Sequence, residues 1–203
     1  MTLVDTEPKA ARSGGEQPAL RDWVRALEAA APISRNPHRL LPSVIDEQAQ
    51  ARGDALALIS ERETLTYRAL GERANRYARW ALAQDLAKGD CVCLLMPNRP
   101  EYMAIWLGLT SVGVVVSLLN TQLRGPALAR CIDIVAPRHV IVAEEFLGEF
   151  PSALGHLSGH QKIWSHGVGD YLRIDHAIER FSQQPLTKTE RRGVTVADRA
   201  LHI

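Results

Sequence analysis

Three short strand-like segments, Cys91 to Met96, Val114 to Leu118 and Arg138 to Ala143, recur with helical periodicity between them, and that spacing limits the folds open to this chain. The segments are near-continuously apolar rather than alternating, as a strand buried on both faces requires. Between the first two, Glu101 to Val112 mixes Ala, Trp, Leu and Gly in a helical pattern. Between the second and third, the loop Asn120 to Gly125 leads to Pro126, well placed to start a helix ending near Ala136. Strand, helix, strand, twice over, implies parallel strands joined by right-handed crossovers. The expected fold is therefore α/β: a doubly wound, mostly parallel sheet with flanking helices.

The chain before this region adds local elements. Residues 1–20 are polar and Gly/Pro-bearing and read as a disordered tail. Trp23 to Ala31 reads as a short amphipathic helix, with Trp23, Leu27 and Ala30 on one side and Pro32 as its stop. Leu41, Val44, Ile45 and Ala49 continue at helical spacing up to Gly53–Asp54. Ala55 to Ser60 and Thr64 to Thr66 suggest two strands joined by the turn Glu61–Arg62–Glu63. The next helix places Tyr67, Leu70, Ala74, Tyr77, Ala78, Ala81 and Leu82 on one face. Its opposite face, Arg68, Glu72, Arg73, Arg76 and Arg79, is expected to be solvated, and Thr66 to be the N-cap. After Glu144 the pattern weakens: a helix near Glu145–Leu154, a strand at Gln161–Ser165, a helix over Tyr171–Phe181, a polar loop at 185–197 and a final strand from Arg199 to Ile203.

Charge excludes some functions. Twenty-four basic and 23 acidic residues leave a net charge of +1, so nothing global points to nucleic acid or to an anionic lipid surface. Cys91 and Cys93, two apart on a strand, share a face and, with Cys131, read as buried thiols rather than as a zinc or disulfide framework. Tyr102 to Leu123 holds no charged residue over a length that would span a membrane, but Gly113 divides it into a helical half and a β-branched half. The expectation there is a buried helix followed by a buried strand.

Taken together in order and spacing, several pieces carry a resemblance. They are Tyr67/Leu70/Asn75/Arg76, Gly89–Asp90, Met96–Pro97–Asn98–Arg99–Pro100–Glu101–Tyr102, Trp106–Leu107–Gly108, Leu118–Leu119–Asn120–Thr121 and Leu123–Arg124–Gly125. From Leu65 to Val142 the chain resembles the N-terminal subdomain of adenylate-forming (AMP-binding) enzymes. Within them it is most similar to long- and very-long-chain fatty acyl-CoA synthetases of the fatty acid transport protein type. The resemblance implies carboxylate adenylation by ATP with Mg²⁺, then thioester formation with CoA. Fatty acid and CoA would be the partners of the parent enzyme, with no nucleic acid and with peripheral membrane contact in an otherwise cytoplasmic protein. Residues 21–203 would be a partial AMP-binding domain ending before the phosphate-binding loop, since the family's Ser/Thr/Gly-rich loop follows a strand resembling Asp198 to Ile203. No residue here matches the family's catalytic, cofactor-binding or metal motifs, so none is assigned; this piece alone is expected to hold no ATP, Mg²⁺ or CoA and to form no acyl-CoA. The final strand is expected to lack sheet neighbours. The alternative reading is a non-catalytic α/β module that binds an acyl ligand or a partner subunit.

Other signals are weighed beside this. No P-loop, Rossmann or nucleophile-elbow motif is present. Asn98–Arg99 and Asn120–Thr121 follow strands, where α/β sheets bind ligands, and fit either the wall of an acyl or CoA pocket or plain turn chemistry, which is favoured. His156, His160 and His166 lie among glycines with no acidic or thiol ligand near in sequence, so a metal is not expected. Tyr102, Met103 and Trp106 read as core rather than as a lipid pocket.

Overall fold

The computed structural model describes residues 19–203, which divide into two units, 19–36 and 37–203. The tail expected over 1–20 lies outside the described residues up to residue 18. The first unit is helix α1 (Ala19–Arg35), which continues through Pro32 instead of stopping there. Pro32 cannot donate and its ring crowds the preceding turn, but its carbonyl still accepts, and Asn36 N–H donates to Pro32 O at 3.2 Å.

The second unit opens with α2 (Leu41–Arg52) and an antiparallel hairpin of β1 (Leu56–Ile59) and β2 (Thr64–Thr66). Then come α3 (Tyr67–Ala83), β3 (Cys91–Leu95), α4 (Pro100–Ser111), β4 (Val115–Leu118), α5 (Gly125–Ile134) and β5 (His139–Ala143). Each lies within a residue or two of its expected position. Thr66 caps α3 as anticipated, its hydroxyl accepting from Ala69 N–H at 3.2 Å.

Beyond Glu144 the elements are shorter than expected. The helix read over Glu145–Leu154 is a 3₁₀ turn, Glu144–Phe146, and a separate α6, Pro151–Leu154. Pro151 cannot donate back into a preceding turn, so it begins a helix rather than continuing one. β6 (Lys162–His166) follows, and the stretch read as a helix from Tyr171 holds β7 (Leu172–Arg173) and a one-turn α7 (Ile174–Ala177). Pairing decides this: Leu172 and Arg173 add to the sheet opposite Trp164 and Ser165. The loop at 185–197 is irregular, as read, and β8 (Leu201–His202) closes the described chain.

The main sheet has the order β7-β6-β5-β3-β4-β8, with every pair parallel. β8 therefore does have a neighbour: Leu201 and His202 pair with Val116 and Ser117 of β4. Alternate residues of the central strands feed two cores. Val92, Leu94 and Ile141 pack with Leu70, Tyr77 and Trp80 of α3 and Ile105 and Leu109 of α4. Cys93, Leu95, Val140 and Val142 pack on the other face with Leu128 and Ile132 of α5 and Phe150 before α6. The cysteines are free thiols, Cys91 and Cys93 buried side by side and Cys131 half-buried.

α3 and α4 approach closely at Gly108, where an added Cβ would lie 2.4 Å from Ala74 O and 2.7 Å from Tyr77 Cβ. Tyr102, Met103 and Trp106 on α4 are half-buried against this core. Among the described residues no helix is long and apolar enough to cross a membrane.

The arginine face of α3 is solvated at Arg68 but covered further along the helix. Arg79 donates to Ser182 O and Gln184 O, each at 2.7 Å, and pairs with Glu190 at 2.8 Å. Arg76 donates to Gln183 Oε1 at 2.8 Å, and Asn75 Nδ2 to Gln183 O at 3.1 Å. A chain segment about a hundred residues later lies over the charged side of the helix, a contact that helical periodicity cannot reveal.

Candidate functional site

The connection from β3 leads to β4 on one side of the sheet and that from β5 to β6 on the other, so the loops after β3 and β5 diverge. In open α/β sheets this switch point opens a crevice at the carboxyl ends of the strands. Here the crevice is a cleft of about 860 Å³, walled by the hairpin residues Ile59 to Glu63, the β3–α4 loop Pro97 to Glu101, and Glu144, Glu145, His166 and Gly167.

At its base lies a buried carboxylate. Glu101 is 7% exposed and stands in the first turn of α4, where the helix dipole favours an anion. Arg73 Nη1 donates to Glu101 Oε2 at 2.5 Å; the Tyr77 hydroxyl donates to Oε1, and His166 Nε2 lies 3.5 Å from that same oxygen. Arg73 also reaches Glu63 at 3.2 Å, tying the hairpin turn to α3.

Ionisation follows from these contacts. Burial pushes the Glu101 carboxyl up, but bonds from His166 and Tyr77 and the charge of Arg73 outweigh it, holding it below the usual carboxylate range. Burial and the adjacent Glu101 charge drive the Tyr77 phenol well above its ordinary value, so it stays a donor. Arg99 closes the network, with Nη1 donating to Glu145 Oε1 at 2.6 Å and Nη2 lying 3.1 Å from His166 Nδ1. A guanidinium only donates, so Nδ1 accepts and the ring hydrogen sits on Nε2, toward Glu101. Arg99 thus selects the tautomer through which His166 meets the carboxylate.

Of the residues singled out in the sequence, the structure brings Arg99 and His166 together and leaves others apart. Asn120 Oδ1 accepts from Gln122 N–H at 2.9 Å, the turn chemistry expected of it, and does not line the cleft. Asn98 is exposed on the cleft wall. His156 and His160 are exposed, and among the described residues no group of three metal-ligating side chains could hold an ion. Arg73, Tyr77, Glu101 and Glu63 were not legible as one cluster. The available signal was Glu101 itself, the one acid in the α4 segment, and it reads equally well as an ordinary first-turn carboxylate.

A family model described as AMP-binding enzyme matches residues 45–193, which include every residue lining the cleft. The chain belongs to the AMP-binding enzyme family. It is 37% identical over 128 residues to long-chain fatty acid transport protein 6 of Mus musculus, covering 62% of this chain and 20% of that protein. To long-chain fatty acid transport protein 2 of Rattus norvegicus it is 29% identical over 176 residues, 83% of this chain and 28% of the other. The chain thus spans about a quarter of these relatives' length. The fold matches that of an anthranilate CoA ligase solved with anthranoyl-AMP, at a TM-score of 0.65 and 23% identity, over 70% of this chain and 27% of that one.

ATP, the nucleotide the family's name implies, does not fit this cleft. Glu61, Glu63, Glu101, Glu144 and Glu145 line it; Arg73 is taken up by Glu63 and Glu101 and Arg99 by Glu145, which leaves Arg62 as the lining arginine outside these pairs. Its walls repel phosphates, and both oxygens of Glu101 are engaged, so it is not free to act as a general base. What the arrangement does chemically is hold the hairpin, α3, α4 and β6 in one register around a polar-rimmed wall.

Proposed function

We propose that these residues form the N-terminal sheet of an ATP-dependent fatty acyl-CoA synthetase, which converts a fatty acid to its adenylate with Mg²⁺·ATP and passes the acyl group to CoA. The observation that carries this reading is the match across residues 45–193 together with the similarity to fatty acid transport proteins. This segment contributes the scaffold and one wall, while the phosphate-binding and thioester-forming groups lie outside residues 19–203. No adenylation step is assigned to the Glu101 cluster, which positions secondary structure. Residence in the cytoplasm with peripheral contact to a membrane belongs to the same proposal.

The test is fatty-acid-dependent exchange of pyrophosphate into ATP. The longest natural product containing these residues should catalyse it, and the 203 residues alone should not. Exchange by the 203 residues alone would overturn the division of labour; exchange by the longer product that ignores fatty acids would overturn the substrate class.

A further inference from the structure

A second cavity lies at the other end of the sheet. α4 runs from the carboxyl end of β3 to the amino end of β4, so Ser111, in its last turn, marks the end opposite the Glu101 cleft. There Ser111, His38, Leu40, Ser43, Lys188, Arg191, Gly193 and Val194 line an open cavity of about 370 Å³. The walls are held by specific contacts. His38 Nδ1 lies 3.1 Å from Val194 O, Val196 N–H donates to Pro37 O at 2.8 Å, and Arg191 pairs with Asp46 of α2.

The lining has a consistent chemistry. A carbonyl only accepts, so His38 Nδ1 carries the proton given to Val194 O, leaving Nε2 as the ring's open atom. The Lys188 ammonium has no ion-pair partner among the described residues, and Arg191 has Asp46 as its one carboxylate. No carboxylate lines the cavity itself, in contrast to five around the switch-point cleft. Leu40, Gly193 and Val194 supply an apolar wall between these cationic groups. Small-ligand sites combine such a wall with a few convergent polar groups and begin near this volume.

We propose that this cavity binds a small amphipathic carboxylate, its head group between Lys188, Arg191 and His38 and its short alkyl tail along Leu40 and Val194. A volume of about 370 Å³ lies at the small end of ligand sites, the range of a medium-chain acid such as octanoate. The proposal rests on the cavity alone and is independent of the synthetase reading.

Octanoate titrated into the 203-residue chain by calorimetry tests it, with octanol and acetate as the neutral and tail-less controls. Octanoate should bind, both controls should bind at least tenfold more weakly, and Lys188→Glu should weaken octanoate at least tenfold. Lys188 is exposed, so this substitution leaves folding intact. Arg62→Glu, in the opposite cleft, should leave the affinity unchanged. Absence of binding overturns the proposal, as does equal binding of octanol or an affinity lost in Arg62→Glu and kept in Lys188→Glu. That last result would place the acid in the switch-point cleft and leave the proposed function standing.

Discussion

His139 makes stability depend on mild acid, and the effect is large enough to isolate. Its ring is 5% exposed, between Trp80 at 5.6 Å and Trp164, whose indole N–H donates to His139 Nδ1 at 2.9 Å. A proton on Nδ1 would meet that N–H head-on. Burial, and then the charges of Lys162 and Arg138, push the imidazole down to about 4 from an ordinary 6.5. Well above 6.5 the ring is neutral in folded and unfolded chains alike, and its environment imposes no penalty. As pH falls from 6.5 toward 4 the unfolded chain takes up the proton and the folded chain does not, so stability is lost across that window. The full shift corresponds to about 3 kcal/mol; near pH 5, with the unfolded ring almost fully protonated and the folded ring about a tenth, the loss is about 2 kcal/mol. His139→Asn keeps an acceptor close to the Nδ1 position and cannot titrate. Urea unfolding followed by far-ultraviolet circular dichroism, near pH 7 and near pH 5, should show the parent losing about 2 kcal/mol more than the variant. Carboxylates that titrate in the same range cancel in this difference. Parallel losses in the two proteins would refute the assignment of the effect to His139.

Three further outcomes are expected. Gly108→Ala drives a methyl against Ala74 O and the Tyr77 Cβ, so α3 and α4 must separate; a loss of about 2 kcal/mol in urea unfolding is expected, and a neutral result would mean the helices slide freely. Glu101→Gln leaves Arg73 without its closest buried anion and should cost about 3 kcal/mol, with Glu101→Ala at least as damaging. Arg79→Ala removes the bonds that hold residues 182–190 against α3, and limited trypsin digestion should then cut first at Lys188 or Arg191, before the rest of the domain.

The local elements were legible because their causes are local. Thr66 caps a helix with its own hydroxyl three residues ahead, and Gly113, at a φ of 84°, occupies a turn conformation that favours glycine between α4 and β4. The continuous apolarity of β3 and β5 likewise announced strands covered on both faces. The weak stretch after Glu144 departs from its helical pattern where one neighbour decides the outcome: Leu172 and Arg173 are a strand because Trp164 and Ser165 lie beside them.

What the sequence determined by itself was the alternation of helix and strand, hence the parallel sheet, and through the order of its motifs the family. Burial of charge was decided only by the tertiary structure. Glu101 and the arginines of α3 look like solvent-facing residues in any window of the chain, since periodicity reports the spacing of apolar side chains and not what covers the polar ones. The groups that meet them come from elsewhere in the chain, Arg73 and His166 at Glu101 and Glu190 at Arg79, and only the packed fold brings partners across such separations into contact.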